Sequence, residues 1–224
     1  MKKMLLVLLS SLIISMLCFA GAACTCKKNS DPDETPLSGG WTRASSPEIT
    51  SEIQSLFDKA TLGMVGVGYT PVAYLASQVV AGTNYLALCS ISPVVPNAAA
   101  TYALVTIYED LQGNASLYDV RESDVEALAD SNLSGGWTAA QSPKVTSAAK
   151  KALSKATDGL AGASYNPVAL LGTQVVAGTN YCMLCEVTPV VPNAETDYMI
   201  VQVYADLSGN AEITETWSFA RSVD

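Results

Sequence analysis

The chain has 224 residues, of which 49% are hydrophobic and only 15% are charged. This composition allows a packed core and differs from that of an intrinsically disordered chain. The net charge of −9 would repel nucleic-acid phosphates, so we expect no nucleic-acid partner. The sequence contains no histidine, which excludes histidine general bases, Ser-His-Asp and Cys-His catalytic sites and histidine metal ligands. Most hydrolase mechanisms are thereby excluded, and we expect a protein that is not an enzyme.

The N-terminus has the three-part layout of a secretory signal. Two lysines precede an apolar run over residues 4–19, and small residues follow it. The pattern predicts a cleaved signal peptide at residues 1–23 and a polar linker at residues 24–36. The motif Gly21–Cys24 also resembles a bacterial lipobox, in which Cys24 would carry the lipid. We expect an exported protein that is secreted, periplasmic or held at the cell surface as a lipoprotein.

The rest of the chain repeats itself at an offset of 96 residues, because QVVAGTNY occurs at residues 78–85 and again at 174–181. A unit of this length is too long for a solenoid repeat and is typical of a small domain. The repeat predicts two tandem domains. Their predicted bounds are residues 37–122 and 133–224, with a linker at residues 123–132.

Each copy is predicted to begin with one amphipathic helix. In the first copy, apolar residues recur at helical spacing from Ile49 to Met64. Ser46 is the candidate N-cap, and Pro47 would occupy the first helical position. The second copy repeats this pattern, so we expect one helix in each copy.

Four strand-like runs follow the helix of the first copy, and turn-rich segments separate them. One helix followed by consecutive strands fits an antiparallel sheet with one face packed against the helix. The expected class of each copy is therefore α+β. The predicted strands are residues 72–81, 83–91, 101–108 and 116–120.

Three cysteines, Cys89, Cys182 and Cys185, fall inside strand-like runs. A free thiol in such a run usually behaves as a small buried hydrophobe. Cys182 and Cys185 have CxxC spacing, but residues i and i+3 of a strand face opposite sides of the sheet. The sequence also lacks a second ligand pair that would complete a zinc site. We predict no metal site and no cofactor.

One element of each copy suggests a binding loop, in which a strand ends in a glycine turn. In the first copy Gln78 and Val80 should project to the same side of the strand, and Gly82 should permit a tight turn. The predicted tip is small and apolar, and it has no acid, base or nucleophile. Such a tip could fill a groove but could not turn over a substrate.

The order of these motifs resembles that of the stefin-type cystatins, which inhibit papain-like cysteine proteases. The shared features are a Gly-Gly pair, a proline-led helix, QVVAGTNY, a tyrosine-rich fourth strand and a Leu-x-Gly-x turn, over about residues 37–120 and 133–216. The resemblance implies an α+β fold of two tandem cystatin-like domains, each an antiparallel β-sheet wrapped around one α-helix. It also implies that an N-terminal trunk and two hairpin loops form a wedge that plugs the protease cleft.

The resemblance assigns protease-binding residues to the trunk and to the two hairpins of each copy. The second hairpin departs from the family, because Gln112 and Ser208 stand where stefins commonly have proline. In the first copy the assigned residues are Gly39, Gly40, Gln78, Val79, Val80, Ala81, Gly82, Leu111, Gln112, Gly113 and Asn114. In the second copy they are Gly135, Gly136, Gln174, Val175, Val176, Ala177, Gly178, Leu207, Ser208, Gly209 and Asn210.

These expectations combine into an exported, reversible, non-covalent inhibitor that occludes the cleft of papain-like cysteine proteases. Each chain would bind up to two proteases, and it would meet a membrane only through a lipid on Cys24. The alternative is a non-inhibitory binding or adhesion module on the cell surface. An enzyme built on carboxylates has little support, because Ala205 of the second copy stands where the first has Glu109.

Overall fold

A computed structural model of the chain describes residues 40–95, 101–121 and 136–218. The first copy consists of β1 (Trp41–Arg43), α1 (Ser51–Ala60), β2 (Val67–Val80), β3 (Gly82–Pro93), β4 (Thr101–Glu109) and β5 (Ala115–Arg121). Its five strands form an antiparallel sheet in the order β1-β2-β3-β4-β5. The predicted signal peptide and linkers, together with Cys24, Gly39 and Gly135, lie outside the described residues.

The second copy repeats this arrangement with β6 (Thr138–Ala139), α2 (Ser147–Ala156), β7 (Ala163–Val176), β8 (Gly178–Pro189), β9 (Asp197–Asp206) and β10 (Ala211–Ser218). Its sheet has the order β10-β9-β8-β7-β6. Neighbouring strands of both sheets are antiparallel, and long hairpins join β2 to β3 and β7 to β8.

The first helix begins later than the sequence predicted. Its N-cap is Thr50, whose hydroxyl accepts a hydrogen bond from the backbone N–H of Ile53 at 3.3 Å. The carbonyl of Pro47 accepts a hydrogen bond from the backbone N–H of Tyr74 in β2 at 3.0 Å. The segment before Thr50 is therefore tied to the sheet, and the prediction that the helix begins at Pro47 was wrong.

Each helix packs against one face of its own sheet. In α1 the buried side chains are Ile53, Leu56 and Phe57. They form a hydrophobic cluster with Ala87 and Cys89 of β3 and with side chains of β4. The helix is ten residues long, so it covers only part of this face, and neither helix of the described ranges lies on the opposite face.

The opposite faces of the two sheets pack against each other. Leu86 and Leu88 of β3 belong to one buried cluster with Leu184 of β8 and Ile200 of β9. Side chains of β3 alternate between this shared cluster and the cluster beneath α1, so both faces of the strand are buried. The described residues of both copies belong to one compact unit.

Two reciprocal hydrogen bonds fasten the copies together. The hydroxyl of Tyr102 donates to the carbonyl of Ala140 at 2.9 Å, and the hydroxyl of Tyr198 donates to the carbonyl of Ala44 at 3.1 Å. Each tyrosine and each alanine is displaced from its counterpart by the repeat offset of 96 residues. The contact between the copies is therefore pseudo-symmetric, with the same surface used on both sides.

The expected fold class was wrong. The described residues are mostly β, with two five-stranded antiparallel sheets and two helices, and they do not form two cystatin-like domains in which a sheet wraps around a helix. The physical reason is that a ten-residue helix can bury one face of a sheet only in part, while the second face is apolar as well. Stacking the two sheets removes both apolar faces from water. The predicted domain boundaries stay predictions.

Candidate functional site

The assigned segments lie at one end of each sheet, which we call the tip end. In the first copy Trp41, next to Gly40, is opposite Gln78, and Thr83 is opposite Glu109. The register therefore places Gly40, the β2–β3 turn and the β4–β5 turn side by side. In the second copy the tip end comprises the segment around Gly136 and residues 174–178 and 206–210, placed by the equivalent pairings.

The first hairpin turns at a single residue, because Val80 pairs with Gly82 and leaves only Ala81 at the apex. Gly82 has φ +135°, and a Cβ at this position would lie 2.3 Å from the carbonyl oxygen of Glu109. The hydroxyl of Tyr108 donates to the carbonyl of Ala81 at 2.6 Å. The glycine is thus required by the close approach of a neighbouring strand, and not only by the turn.

The second copy builds the same turn. Gly178 has φ +139°, and a Cβ there would lie 2.3 Å from the carbonyl oxygen of Ala205. The hydroxyl of Tyr204 donates to the carbonyl of Ala177 at 2.6 Å. Sequence reasoning did not assign Tyr108 or Tyr204 to the site, although their repetition at the offset of 96 residues was a usable signal.

The glutamine of each first hairpin is engaged within the sheet. The side-chain amide of Asn84 donates to the side-chain oxygen of Gln78 at 2.7 Å, and Asn180 makes the same bond to Gln174. Gln174 is buried, whereas the neighbouring Val175 is 72% exposed. The glutamines therefore order the hairpins, and the valines offer the apolar surface.

The second hairpin is a three-residue loop. In the first copy the backbone N–H of Gly113 donates to the carbonyl of Asp110 at 3.0 Å, and the N–H of Asp110 donates to the carbonyl of Asn114 at 2.9 Å. Gly113 has φ +81°, so the pattern is that of a type I turn followed by a left-handed glycine. Leu111 lies at the apex and is 79% exposed.

The two tip ends differ at one carboxylate. In the first copy the hydroxyl of Tyr85 donates to the carboxylate of Glu109 at 3.1 Å. Burial and then this carboxylate raise the pKa of Tyr85 to about 12. Ala205 occupies the equivalent position of the second copy, whose tip end therefore lacks this carboxylate.

The cysteines of the described residues are free and buried. Cys182 packs in the cluster between the sheets, whereas Cys185 packs in the cluster beneath α2. The prediction that these two thiols face opposite sides and act as buried hydrophobes is confirmed. Burial raises the pKa of all three thiols, with that of Cys185 at about 12, so none is a ready nucleophile.

A second exposed apolar surface lies at the opposite end of the first copy. Leu62 and Val65 precede β2 and are 86% and 91% exposed, and Val94 and Val95 follow β3. The backbone N–H of Val94 donates to the carbonyl of Gly66 at 2.9 Å, which joins the two segments. Exposed apolar side chains are therefore not confined to the tip end.

Neither helix of the described residues has the length and hydrophobicity needed to cross a bilayer. Comparison of the chain with models of known families gives no match, and comparison with curated proteins gives none. The likeness to stefin-type cystatins therefore rests on the sequence motifs alone.

Proposed function

We propose that the protein is an exported, reversible, non-covalent inhibitor of papain-like cysteine proteases. The observation that carries the proposal is the arrangement of the tip end, where the glycine segment and two hairpins lie in one row. At a strand spacing of about 4.8 Å, a row of five strands is about 19 Å wide. A narrow apolar edge of this kind fits a cleft better than a flat partner surface.

The exposed side chains of the tip ends are apolar, which favours non-covalent binding over a covalent reaction with the partner. The most exposed are Val79, Leu111, Val175 and Leu207, which are 47%, 79%, 72% and 86% exposed. Burying them in a cleft would remove apolar area from water. Together with the buried thiols, this composition supports steric occlusion without a covalent bond to the protease.

The first experiment is a titration of active papain with residues 27–224. We expect inhibition with an endpoint of up to two proteases per chain, because each copy has its own tip end. A one-to-one endpoint would assign inhibition to one copy. Absence of inhibition at micromolar concentration would refute the proposal.

A second experiment tests the assigned loops. Val79→Asp and Val175→Asp each place a charge on an exposed valine, so each should weaken one copy without unfolding the protein. The matched control is Val94→Asp, an equally simple change at the opposite end of the sheet. If the tip variants inhibit like the parent and the control does not, the binding surface has been misplaced.

A third experiment tests whether binding requires the catalytic cysteine of the protease. Papain with its catalytic cysteine blocked by a small group should still bind, since no bond to that cysteine is proposed. Loss of binding on blocking would contradict the non-covalent mechanism.

The second candidate is a non-inhibitory binding or adhesion module. The apolar surface at the opposite end favours it, because Leu62, Val65, Val94 and Val95 lie outside the proposed inhibitory edge. Isolation of a non-protease ligand that binds the Val79→Asp variant but not the Val94→Asp variant would support this alternative. Mass spectrometry of the mature N-terminus tests export and the lipid on Cys24.

A further inference from the structure

A cavity of about 620 Å³ lies in the second copy, between β6, the segment that leads into α2, and β7. Its walls are residues 138–142 and 144–147, together with Leu170 and Thr173 of β7. A volume of this size is within the range of about 300–1,000 Å³ that is typical of small-molecule sites. None of these residues belongs to the set assigned to protease contact, so the cavity is a separate feature of the molecule.

The backbone around the cavity follows the same path in both copies. The N–H of Ala140 donates to the carbonyl of Leu171 at 2.8 Å, and the N–H of Leu170 donates to the carbonyl of Pro143 at 2.9 Å. The first copy makes both bonds at the equivalent positions, at 2.8 and 3.0 Å. Differences in the space between these segments therefore come from the side chains.

Two side chains at the equivalent positions of the first copy are larger. Tyr74 stands where the second copy has Leu170. Ile49 stands where it has Val145. The ring of Tyr74 packs against the cluster beneath α1, with its centroid 6.4 Å from that of Tyr85. Leucine and valine fill less of this space, so the second copy keeps its core beneath α2 and has a hollow beside it.

The polar groups that line the cavity favour an anion. The hydroxyl oxygen of Ser142 accepts a hydrogen bond from the backbone N–H of Lys144 at 3.3 Å. That of Thr146 accepts one from the backbone N–H of Ala149 at 3.2 Å. Each hydroxyl can therefore still donate its own proton to a ligand. Within the described ranges, Lys144 has no ion-pair partner, and the walls of the cavity include no carboxylate.

The charge beside the cavity is inverted relative to the first copy. Lys144 is exposed, and its equivalent is Glu48. The helix α2 contains three lysines and no carboxylate, whereas α1 contains Glu52, Asp58 and one lysine. The cavity therefore lies on a part of the surface that attracts anions, although the whole chain has a net charge of −9.

We propose that the cavity binds a small organic carboxylate with an apolar body, which the first copy does not accept. The carboxylate pairs with Lys144 and accepts hydrogen bonds from the lining hydroxyls. The apolar body packs on Val145 and Leu170 and is thereby removed from water. This site goes beyond the proposed inhibition of proteases and does not depend on it.

The test uses residues 27–224 with para-fluorophenylacetate as the probe, followed by fluorine NMR. We expect one saturable site per chain, with a dissociation constant on the order of 1 mM or lower for a ligand of about a dozen non-hydrogen atoms. The matched neutral probe is para-fluorophenylacetamide. It should bind roughly fivefold more weakly, because it lacks the charge that pairs with Lys144.

Two variants give the second copy the side chains of the first. Lys144→Glu should weaken binding of the carboxylate roughly tenfold, because attraction becomes repulsion. Leu170→Tyr should remove the site, because the ring fills the hollow. The matched control is Lys155→Glu, which reverses the same charge about 12 Å further along α2 than Ser147. At about 0.15 M salt the Debye length is about 8 Å, so the control should bind within twofold of its parent.

Backbone amide shifts give the location of the bound probe. The probe should shift the amides of residues 138–147 and leave those of the equivalent residues 42–51 unchanged. Leu170→Tyr alters a buried residue, and its amide spectrum shows whether that variant is folded. Lys144→Glu alters an exposed residue, so it tests the site even if the other variant does not fold.

Four results would each overturn the inference. They are the absence of saturable binding up to about 10 mM, a Lys144→Glu variant that binds within twofold of its parent, an amide probe that binds within twofold of the carboxylate, and equal amide shifts in the two copies. None of these results bears on the papain titration, so the cavity and the inhibitory edge stand or fall separately.

Discussion

Truncation of Leu88 to alanine tests the stacking of the two sheets. Leu88 is 0% exposed and lies in the cluster shared by both copies. The change removes about three carbon groups at ~0.8 kcal/mol each. A residual cavity of about 30 Å³ adds roughly 0.7 kcal/mol, so we expect the free energy of unfolding to fall by about 3 kcal/mol.

The assay is equilibrium urea unfolding of residues 27–224, followed by tryptophan fluorescence. Trp41 and Trp137 both pack against the shared cluster, so they should report one common transition. A loss of this size corresponds to a melting temperature lower by roughly 6–12 °C in a domain of this size. The matched control is Leu111→Ala, which deletes the same atoms at a 79% exposed position and should cost less than about 0.5 kcal/mol.

The refuting result is a cost below about 1 kcal/mol at Leu88. Such a value would mean that this face of the sheet is open to water in solution. The two copies would then fold without a shared core, and the stacked arrangement would be wrong.

Two further predictions concern the tip end. Gly82→Ala should cost about 3 kcal/mol from backbone strain and overlap with the carbonyl of Glu109, whereas Gly113→Ala, with φ +81° and open space around it, should cost about 1 kcal/mol. Urea unfolding compares the two, and equal costs would contradict the crowding at Gly82. Hydrogen bonds from Asn114 lower the pKa of Asp110, so the ordered loop should persist above the usual aspartate pKa of about 4 and loosen as the pH falls below it. The amide shift of Asn114 measures this, and a shift that titrates equally in Asp110→Asn would refute it.

The sequence predicted the four strands that follow the helix and the turns between them, but not β1 or the first five residues of β2. The predicted strand at residues 72–81 corresponds to β2, and the predicted break at Gly82 is the β2–β3 turn. The start of α1 was missed because the carbonyl of Pro47 pairs with Tyr74, a residue 27 positions away. Helix propensity is a local property, so it cannot show that the backbone just before the helix is hydrogen-bonded to a strand distant in the sequence.

The sequence of β3 contains an indication that both faces of the sheet are covered, which the resemblance to stefin-type cystatins did not take into account. Residues 86–89 read Leu-Ala-Leu-Cys, an unbroken apolar run, whereas a strand with one face in water would alternate apolar and polar residues. This run indicates that both faces are buried, but it does not say what covers the second face. The partner is the same surface of the other copy, which only the tertiary structure reveals.

The tip end was predictable in outline but not in its supporting contacts. The sequence motifs predicted both hairpins, and the pairing of β2 with β3 and of β3 with β4 places their turns next to each other. The repetition of Tyr108 as Tyr204 marked that position, but the contacts that Asn84, Tyr108 and Asp110 make could not be read from the sequence. Each acts on a residue across a turn or a neighbouring strand, and that relation is defined only once the register is known.

The reciprocal bonds of Tyr102 and Tyr198 have a consequence for any fragment of the chain. A copy released from its neighbour would expose a leucine-rich sheet face that is complementary to itself, because each copy supplies both the tyrosine and the alanine carbonyl of the contact. Such a fragment is expected to pair with another molecule of its own kind at a rate set by its concentration. Joining the copies in one chain replaces that bimolecular encounter with an intramolecular one, so the assembly survives dilution.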